Sequence, residues 1–156
     1  MAIWQFHVIV VPEEKILKKY KCIPDNVNEV EDIQSWEGYS LDEFTLVKMS
    51  ETLKFATSWA DNIKQFGALD KNCIELFYDN NQLIEISLRL DLRDITIDII
   101  KLVIDFTRQN KALLITNNGH VIKPVIENLI KVIKESDAYS FVKNPKEFLD
   151  KFENAT

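Results

Sequence analysis

The sequence predicts an α+β fold, with a mixed, mainly antiparallel sheet and helices packed on one face. Two pairs of β-rich segments, at residues 73–93 and 112–123, each enclose a turn and indicate hairpins. Apart from these hairpins, few connections between predicted strands remain that could form a parallel crossover. The chain has 156 residues, the usual length of one domain. We therefore expect a single domain at 1–156.

Residue types and capping signals predict the elements of the first half of the chain. Ile3 to Val11 is rich in β-branched and aromatic residues and predicts a strand with apolar side chains on both faces. Pro12, followed by acids and then by lysines, predicts a short helix. Ser40-Leu41-Asp42-Glu43 matches the capping box S-x-x-E and predicts a second helix. Ser58-Trp59-Ala60-Asp61 predicts the cap of a further short helix, which Gly67 would end.

A hairpin is the clearest pattern in the chain. Cys73 to Tyr78 predicts one strand, Asp79-Asn80-Asn81 a turn, and Leu83 to Arg93 the antiparallel return strand. Alternate residues of the return strand are apolar, so one face of it should pack against helices. These inward residues are Ile84, Ile86, Leu88, Leu90 and Leu92.

The rest of the chain predicts helices around a second hairpin. Asp94 is a candidate cap for a helix that runs to about Gln109. Asn118-Gly119 is the strongest two-residue hairpin signal, and Pro124 opens another helix. Asn144-Pro145-Lys146-Glu147 combines a cap, a first-turn proline and a first-turn acid, which predicts a terminal helix at 145–153.

Composition excludes several classes of function. The net charge is −6 and the pI is about 5.0, which disfavours a general binder of nucleic acid or of acidic membranes. We find no basic leader and no apolar run near the ~20 residues that cross a bilayer. Cys22 and Cys73 fit no metal-binding or redox spacing. These features predict a cytoplasmic protein with free thiols, no nucleic-acid partner and no membrane partner.

No motif in the sequence indicates catalysis. The three glycines are far apart, so neither phosphate-binding loop occurs, and the GxSxG serine motif is missing. His7 and His120 are far from the spacing of an HExxH zinc site. We therefore predict no catalytic residue, no cofactor and no metal site, and we expect a non-enzymatic protein.

All of the net acidity lies in one stretch, from Cys22 to Val47. It contains seven acids and no Lys or Arg, so it carries −7 while the rest of the chain carries +1. The acids are Asp25, Glu29, Glu31, Asp32, Glu37, Asp42 and Glu43. We refer to residues 22–47 as the acidic stretch.

Residues 22–39 of this stretch show no lasting helical or strand period, which predicts an irregular segment. Aromatic anchors among acids suit an interface with a basic protein, because charge speeds encounter and aromatics supply affinity. The predicted partner-binding residues are Glu29, Glu31, Asp32, Trp36, Glu37 and Tyr39. The sequence leaves a second interpretation open, a solvated acidic loop whose aromatics pack into the core.

The polar face of the second predicted strand offers an alternative site. Arg89, Asp91 and Arg93 share that face, and two guanidiniums beside one carboxylate could bind a small anionic ligand. The same residues could instead form a structural ion-pair ladder with Glu75 of the neighbouring strand. The alternative function is therefore a small anionic-ligand-binding protein or an enzyme.

Three motifs resemble those of a group of small bacterial proteins of unassigned function. They are Ile86-Ser87-Leu88-Arg89-Leu90-Asp91-Leu92-Arg93, Asn118-Gly119-His120-Val121-Ile122-Lys123-Pro124 and Ser136-Asp137-Ala138-Tyr139-Ser140-Phe141-Val142-Lys143-Asn144-Pro145 with Phe148-Leu149. The resemblance covers about residues 59–150 and implies no catalytic residue.

Some small acidic bacterial proteins of this kind look like immunity proteins of toxin–antitoxin competition systems. This likeness, with the acidic stretch, predicts a protein-binding module that covers a basic surface of a toxin. A structural subunit that pairs with itself as a homo-oligomer is the third interpretation.

Overall fold

The computed structural model describes residues 1–145 and residue 149, and the predicted terminal helix at 145–153 lies almost wholly outside them. The elements in chain order are β1 (Gln5–Pro12), α1 (Glu13–Tyr20), a 3-10 turn (Val30–Asp32), α2 (Glu43–Thr52), β2 (Phe55–Ala56), β3 (Ile63–Gly67), β4 (Cys73–Asp79), β5 (Gln82–Asp91), α3 (Ile97–Gln109), β6 (Ala112–Thr116), β7 (Val121–Ile122), α4 (Ile126–Lys134) and α5 (Asp137–Lys143). Within this part of the chain, no helix has the length and apolar character needed to span a bilayer.

The strands form one open sheet in the order β2-β3-β4-β5-β1-β6-β7. Every strand pair in the described residues is antiparallel. The predicted α+β class and both predicted hairpins are confirmed. The second hairpin differs in its turn: Thr116 N donates to His120 O, so residues 117–119 form a three-residue loop in place of the predicted two-residue Asn118-Gly119 turn. β1 lies inside the sheet, between β5 and β6, and this explains why both of its faces are apolar.

The two faces of the sheet carry different layers. Val8 and Val10 of β1 belong to the main core, which includes side chains from α2, α3, α4 and α5. Ile9 and Val11 face the other way and pack with Ile16 of α1 in a second cluster. Helices therefore cover mainly one face, as predicted, but α1 packs on the opposite face because Ile16 meets the second side of β1. We name the side of the sheet that carries the main core the helix face. The opposite side, on which Ile9 and Val11 lie, is the polar face of the sheet.

The β4–β5 hairpin confirms the predicted register with one exception. Asn80 and Asn81 form its two-residue turn, both with positive φ, as a type I′ turn requires. A bulge then lets Phe77 and Tyr78 pair across to Glu85 and Leu83, so Ile84 is left out of the ladder. The core position predicted for Ile84 is taken by Leu83.

Three local predictions were wrong. Ile63–Gly67 is strand β3 and not a helix, because it pairs with both β2 and β4. Helix α2 is capped by Asp42, whose Oδ1 accepts from Phe44 N at 3.0 Å, rather than by Ser40. Thr96 caps α3 in place of Asp94, since its hydroxyl accepts from the backbone N–H of Ile99.

Candidate functional site

The irregular part of the acidic stretch is attached to the last strand of the sheet. Val27 N donates to Gly119 O at 2.8 Å, and Val121 N donates to Asp25 O at 2.9 Å. Asn26 and His120 form an antiparallel bridge between these contacts. The segment therefore covers the outer edge of β7 and is held in a defined position.

Trp36 is the strongest attachment of the stretch to the fold. Its side chain is 1% exposed, its backbone N–H donates to Ile84 O at 2.8 Å, and its indole N–H donates to Val10 O at 2.7 Å. The bulge at Ile84 is what frees that carbonyl from the β4–β5 ladder. The expectation that Trp36 contacts a partner is wrong, because the core encloses it. Tyr39 is half-buried and packs on the same core.

The acids of residues 29–32 lie outward, and two of them meet a lysine of α1. Lys19 Nζ is 2.9 Å from Asp32 Oδ2 and 3.7 Å from Glu29 Oε2. The hydrogen bond from Lys19 lowers the pKa of Asp32. Glu31 and Glu37 are exposed and form no ion pair among the described residues. Four of the predicted partner-binding residues thus face solvent: Glu29, Glu31, Asp32 and Glu37.

Exposed apolar side chains in the acidic stretch lie on α2. Phe44 is 60% exposed and Val47 is 55% exposed, whereas Leu46 and Met49 of the same helix are buried. Lys48 Nζ lies 5.3 Å from the centre of the Phe44 ring. Because Leu46 and Met49 form the buried side of α2, Phe44 and Val47 lie on its outer side.

A cavity of about 430 Å³ lies between the acidic stretch and the polar face of the sheet. Among the residues that the structure describes, neither Lys nor Arg lines it. Glu85, which is half-buried in its wall, has its pKa raised by burial and by the charge of Glu75, while His7 acts in the opposite direction. The polar residues on which its chemistry depends are His7, Glu31, Gln34, Glu85 and Asn117.

Two hydrogen bonds fix the ring of His7 beside this cavity. His7 Nδ1 lies 2.6 Å from Asn117 Oδ1, and Nε2 lies 2.8 Å from Ser87 Oγ. An amide oxygen only accepts, so His7 Nδ1 donates to Asn117 Oδ1, and in the neutral ring Nε2 then accepts from the Ser87 hydroxyl. Ser87, His7 and Asn117 are linked in the same order as the serine, histidine and acid of a catalytic triad. Ser87, however, lies in the middle of β5, is only 8% exposed and does not line the cavity. The array therefore positions His7, and we assign Ser87 no nucleophilic role.

Asp91 and Arg93 form a close pair at the end of β5. Arg93 Nε and Nη2 donate to the two carboxylate oxygens of Asp91 at 3.0 and 2.9 Å. The guanidinium also stacks on Trp4, 4.0 Å from the ring centre. Its hydrogen bond is the main reason that the pKa of Asp91 is lowered.

Arg89 pairs with Glu75, the partner that the sequence suggested. Arg89 Nη2 lies 3.2 Å from Glu75 Oε1, and the Glu75 side chain is only 1% exposed. Trp59 Nε1 donates to the other oxygen of Glu75 at 3.1 Å. The structure thus places the two guanidiniums in separate ion pairs, Arg89 with Glu75 and Arg93 with Asp91.

The described residues offer little for metal or thiol chemistry. They include no group of three or more His, Cys, Asp or Glu side chains that could hold a metal ion. Cys22 and Cys73 are free, the first exposed and the second buried. Burial raises the pKa of Cys73 to about 12, so its thiol is not activated.

No protein-family model, curated protein or solved structure matches this chain. Function is therefore inferred from the geometry of the chain itself.

Proposed function

We propose that this protein is a non-enzymatic binding protein whose acidic stretch covers a basic surface of another protein, in the manner of an immunity-type inhibitor. The observation that carries the proposal is the charge of residues 22–47, which is −7 in a chain of net charge −6. Such a surface attracts a basic partner and repels polyanions.

The attachment of the stretch supports binding rather than a loose solvating role. Val27, Ile33 and Trp36 are buried, so the backbone that carries the acids is held against the sheet. A preorganised surface loses less conformational freedom on association than a disordered one does. Phe44 replaces Trp36 as the proposed aromatic anchor, because it is exposed within the same acidic stretch.

The alternative, a small anionic ligand bound by Arg89, Asp91 and Arg93, has less support. Arg89 is engaged by Glu75 and Arg93 by Asp91. An anion would have to compete with these carboxylates for the two guanidiniums. We also propose a cytoplasmic location, which the free thiols of Cys22 and Cys73 favour.

The test is association with a basic partner, captured from the native cell and then measured with purified proteins. Neutralising Glu29, Glu31 and Asp32 to Gln, Gln and Asn should slow association. The effect should shrink as salt rises, because the Debye length falls from ~30 Å at 0.01 M to ~8 Å at 0.15 M. Phe44→Ala should mainly speed dissociation, since a buried anchor supplies contact energy.

A matched control removes three exposed acids elsewhere: Asp105→Asn, Glu127→Gln and Glu135→Gln. This variant has the same net charge as the first and should associate faster than it does. If both variants and the parent protein associated at one rate, the acidic stretch would not be the binding surface and the proposal would fail.

A further inference from the structure

We propose that the cavity between the acidic stretch and the polar face is a binding site for one arginine side chain of the partner. This inference rests on the proposed function and adds to it the chemistry that the partner must present. The cavity has a volume of about 430 Å³, within the range of small-ligand sites.

Carboxylates reach the cavity from two different elements. Glu31 belongs to the 3-10 turn of the acidic stretch, and Glu85 belongs to strand β5. Because no Lys or Arg of residues 1–145 lines the cavity, both carboxylates are available to a cation from outside. Glu85 is half-buried and makes no ion pair within the described chain, so a guanidinium would supply the partner that it lacks.

The remaining walls match the rest of an arginine side chain. Val30 and Ile115 provide apolar surface for the three methylenes. Gln34 adds an amide oxygen, and Asn117 Oδ1 keeps one lone pair beside its bond to His7, so both can accept N–H groups that the carboxylates leave unused. A planar guanidinium with five donors suits several separated acceptors better than a compact ammonium does. The concave shape and the apolar wall, together with the two charges, define the site.

His7 keeps this wall in place. Both of its ring nitrogens are engaged, one with Asn117 and one with Ser87. The ring therefore cannot rotate into the cavity without breaking two hydrogen bonds. A preformed site of this kind needs little reorganisation when a side chain enters.

The experiment uses two small probes on the isolated protein. N-acetyl-arginine amide presents the guanidinium, and N-acetyl-citrulline amide has nearly the same shape but no charge. Backbone NMR shifts are followed during each titration. We expect the arginine probe to shift the amides of His7, Glu31, Glu85 and Asn117 in a saturable way, and the citrulline probe to bind at least about tenfold more weakly.

Glu85→Gln is the decisive variant, because Glu85 lies outside the acidic stretch. It should weaken binding of the arginine probe about tenfold, while Glu37→Gln, the same change at an exposed position outside the cavity, should leave the affinity unchanged. Thermal unfolding of both variants confirms that the fold is intact. Equal binding of the two probes, or equal affinity of Glu85→Gln and the parent, would overturn the arginine site.

Failure of this site is distinguishable from failure of the proposed function. If the arginine probe does not bind but neutralising Glu29, Glu31 and Asp32 still slows partner association, only the cavity proposal is wrong. If the probe binds but neutralising the acidic stretch does not slow partner association, the cavity binds arginine but has no role in the proposed inhibition.

Discussion

Trp36 donates its indole N–H to the backbone oxygen of Val10, and this bond joins the acidic stretch to the interior strand of the sheet. The β1–β5 ladder ends where Val10 pairs with Ile86. Trp36 occupies the next position, where its backbone N–H binds Ile84 O and its side chain binds Val10 O. One residue thus bridges two strands just beyond the end of their pairing.

Trp36→Ala should unfold the protein more easily rather than only weaken partner binding. Removing a fully buried Trp costs about 3–5 kcal/mol, and the indole hydrogen bond to Val10 O is lost as well. Trp36→Phe keeps most of the volume and removes that hydrogen bond, so it should cost about 0.5–1.5 kcal/mol. Urea denaturation measures both variants. Unchanged midpoints would mean that Trp36 is not part of the core in solution.

Gly119→Ala and Gly38→Ala form a matched pair, because both glycines have positive φ of similar size, +82° and +85°. A Cβ at Gly119 would lie 2.1 Å from Val27 O, whereas nothing lies within 4 Å of a Cβ at Gly38. Gly38→Ala should lower the free energy of unfolding by about 1–2 kcal/mol from backbone strain alone. Gly119→Ala should cost clearly more and loosen residues 25–27 from β7. Faster hydrogen exchange at the amides of Val27 and Val121 would report this loosening. Equal losses of unfolding free energy in the two variants would refute the close contact.

Arg89→Ala should destabilise the protein by about 3 kcal/mol, since it leaves the buried Glu75 without its cation. Adding Glu75→Gln to Arg89→Ala should recover part of this loss, because no uncompensated charge then remains. Chemical denaturation of the single and double variants measures the difference. A loss of 1 kcal/mol or less for Arg89→Ala would indicate an ordinary surface pair.

Acid should remove the stability that Asp91 provides. Its pKa is lowered in the folded state, chiefly by Arg93, so this contribution is complete above its ordinary pKa of 3.8 and is lost as pH falls through the lower folded value. Arg93→Met should therefore cost about 1 kcal/mol at pH 7, and the part of this cost that comes from Asp91 should decrease as pH falls below 3.8. Lys123→Met, an exposed change outside any described ion pair, is the control. A pH-independent cost at Arg93 would contradict the pairing.

The two cysteines should differ in reactivity. Burial, with the nearby charge of Glu75, raises the pKa of Cys73 to about 12, although Arg89 acts against this. Cys22 is exposed. A thiol reagent at pH 8 should therefore modify one thiol quickly in the native protein and a second only after denaturant is added. Rapid modification of two native thiols would show that the β4 region opens readily.

Local signals in the sequence were sufficient for much of the fold. Asn80-Asn81 and Asn118-Gly119 identify both hairpins, because each turn needs at least one residue that accepts positive φ, here Asn80, Asn81 and Gly119. Strand β3 was missed because its cross-strand partners in β2 and β4, rather than its own pattern, define it. The bulge at Ile84 has no turn residue to mark it, so the exchange with Leu83 could not be anticipated.

The candidate site was only partly predictable. The charge of residues 22–47 is a property of composition and needs no structure. The burial of Trp36 depends on carbonyls of Val10 and Ile84, which are far away in the chain. The cavity likewise combines His7, Glu85 and Asn117 from three separate strands and turns. No local motif links such residues, and only the sheet order brings them together.

The interior position of β1 has a consequence for biosynthesis. Gln5 pairs with Asp91 and Val8 pairs with Thr116, so the partners of β1 leave the ribosome long after β1 itself. At about 5–20 residues per second, several seconds separate their emergence. During that interval β1 is an apolar segment with two unsatisfied edges. Binding by a chaperone, or transient association with another chain, would have its greatest effect at β1. Pairings so distant in sequence also place this fold among slowly folding topologies.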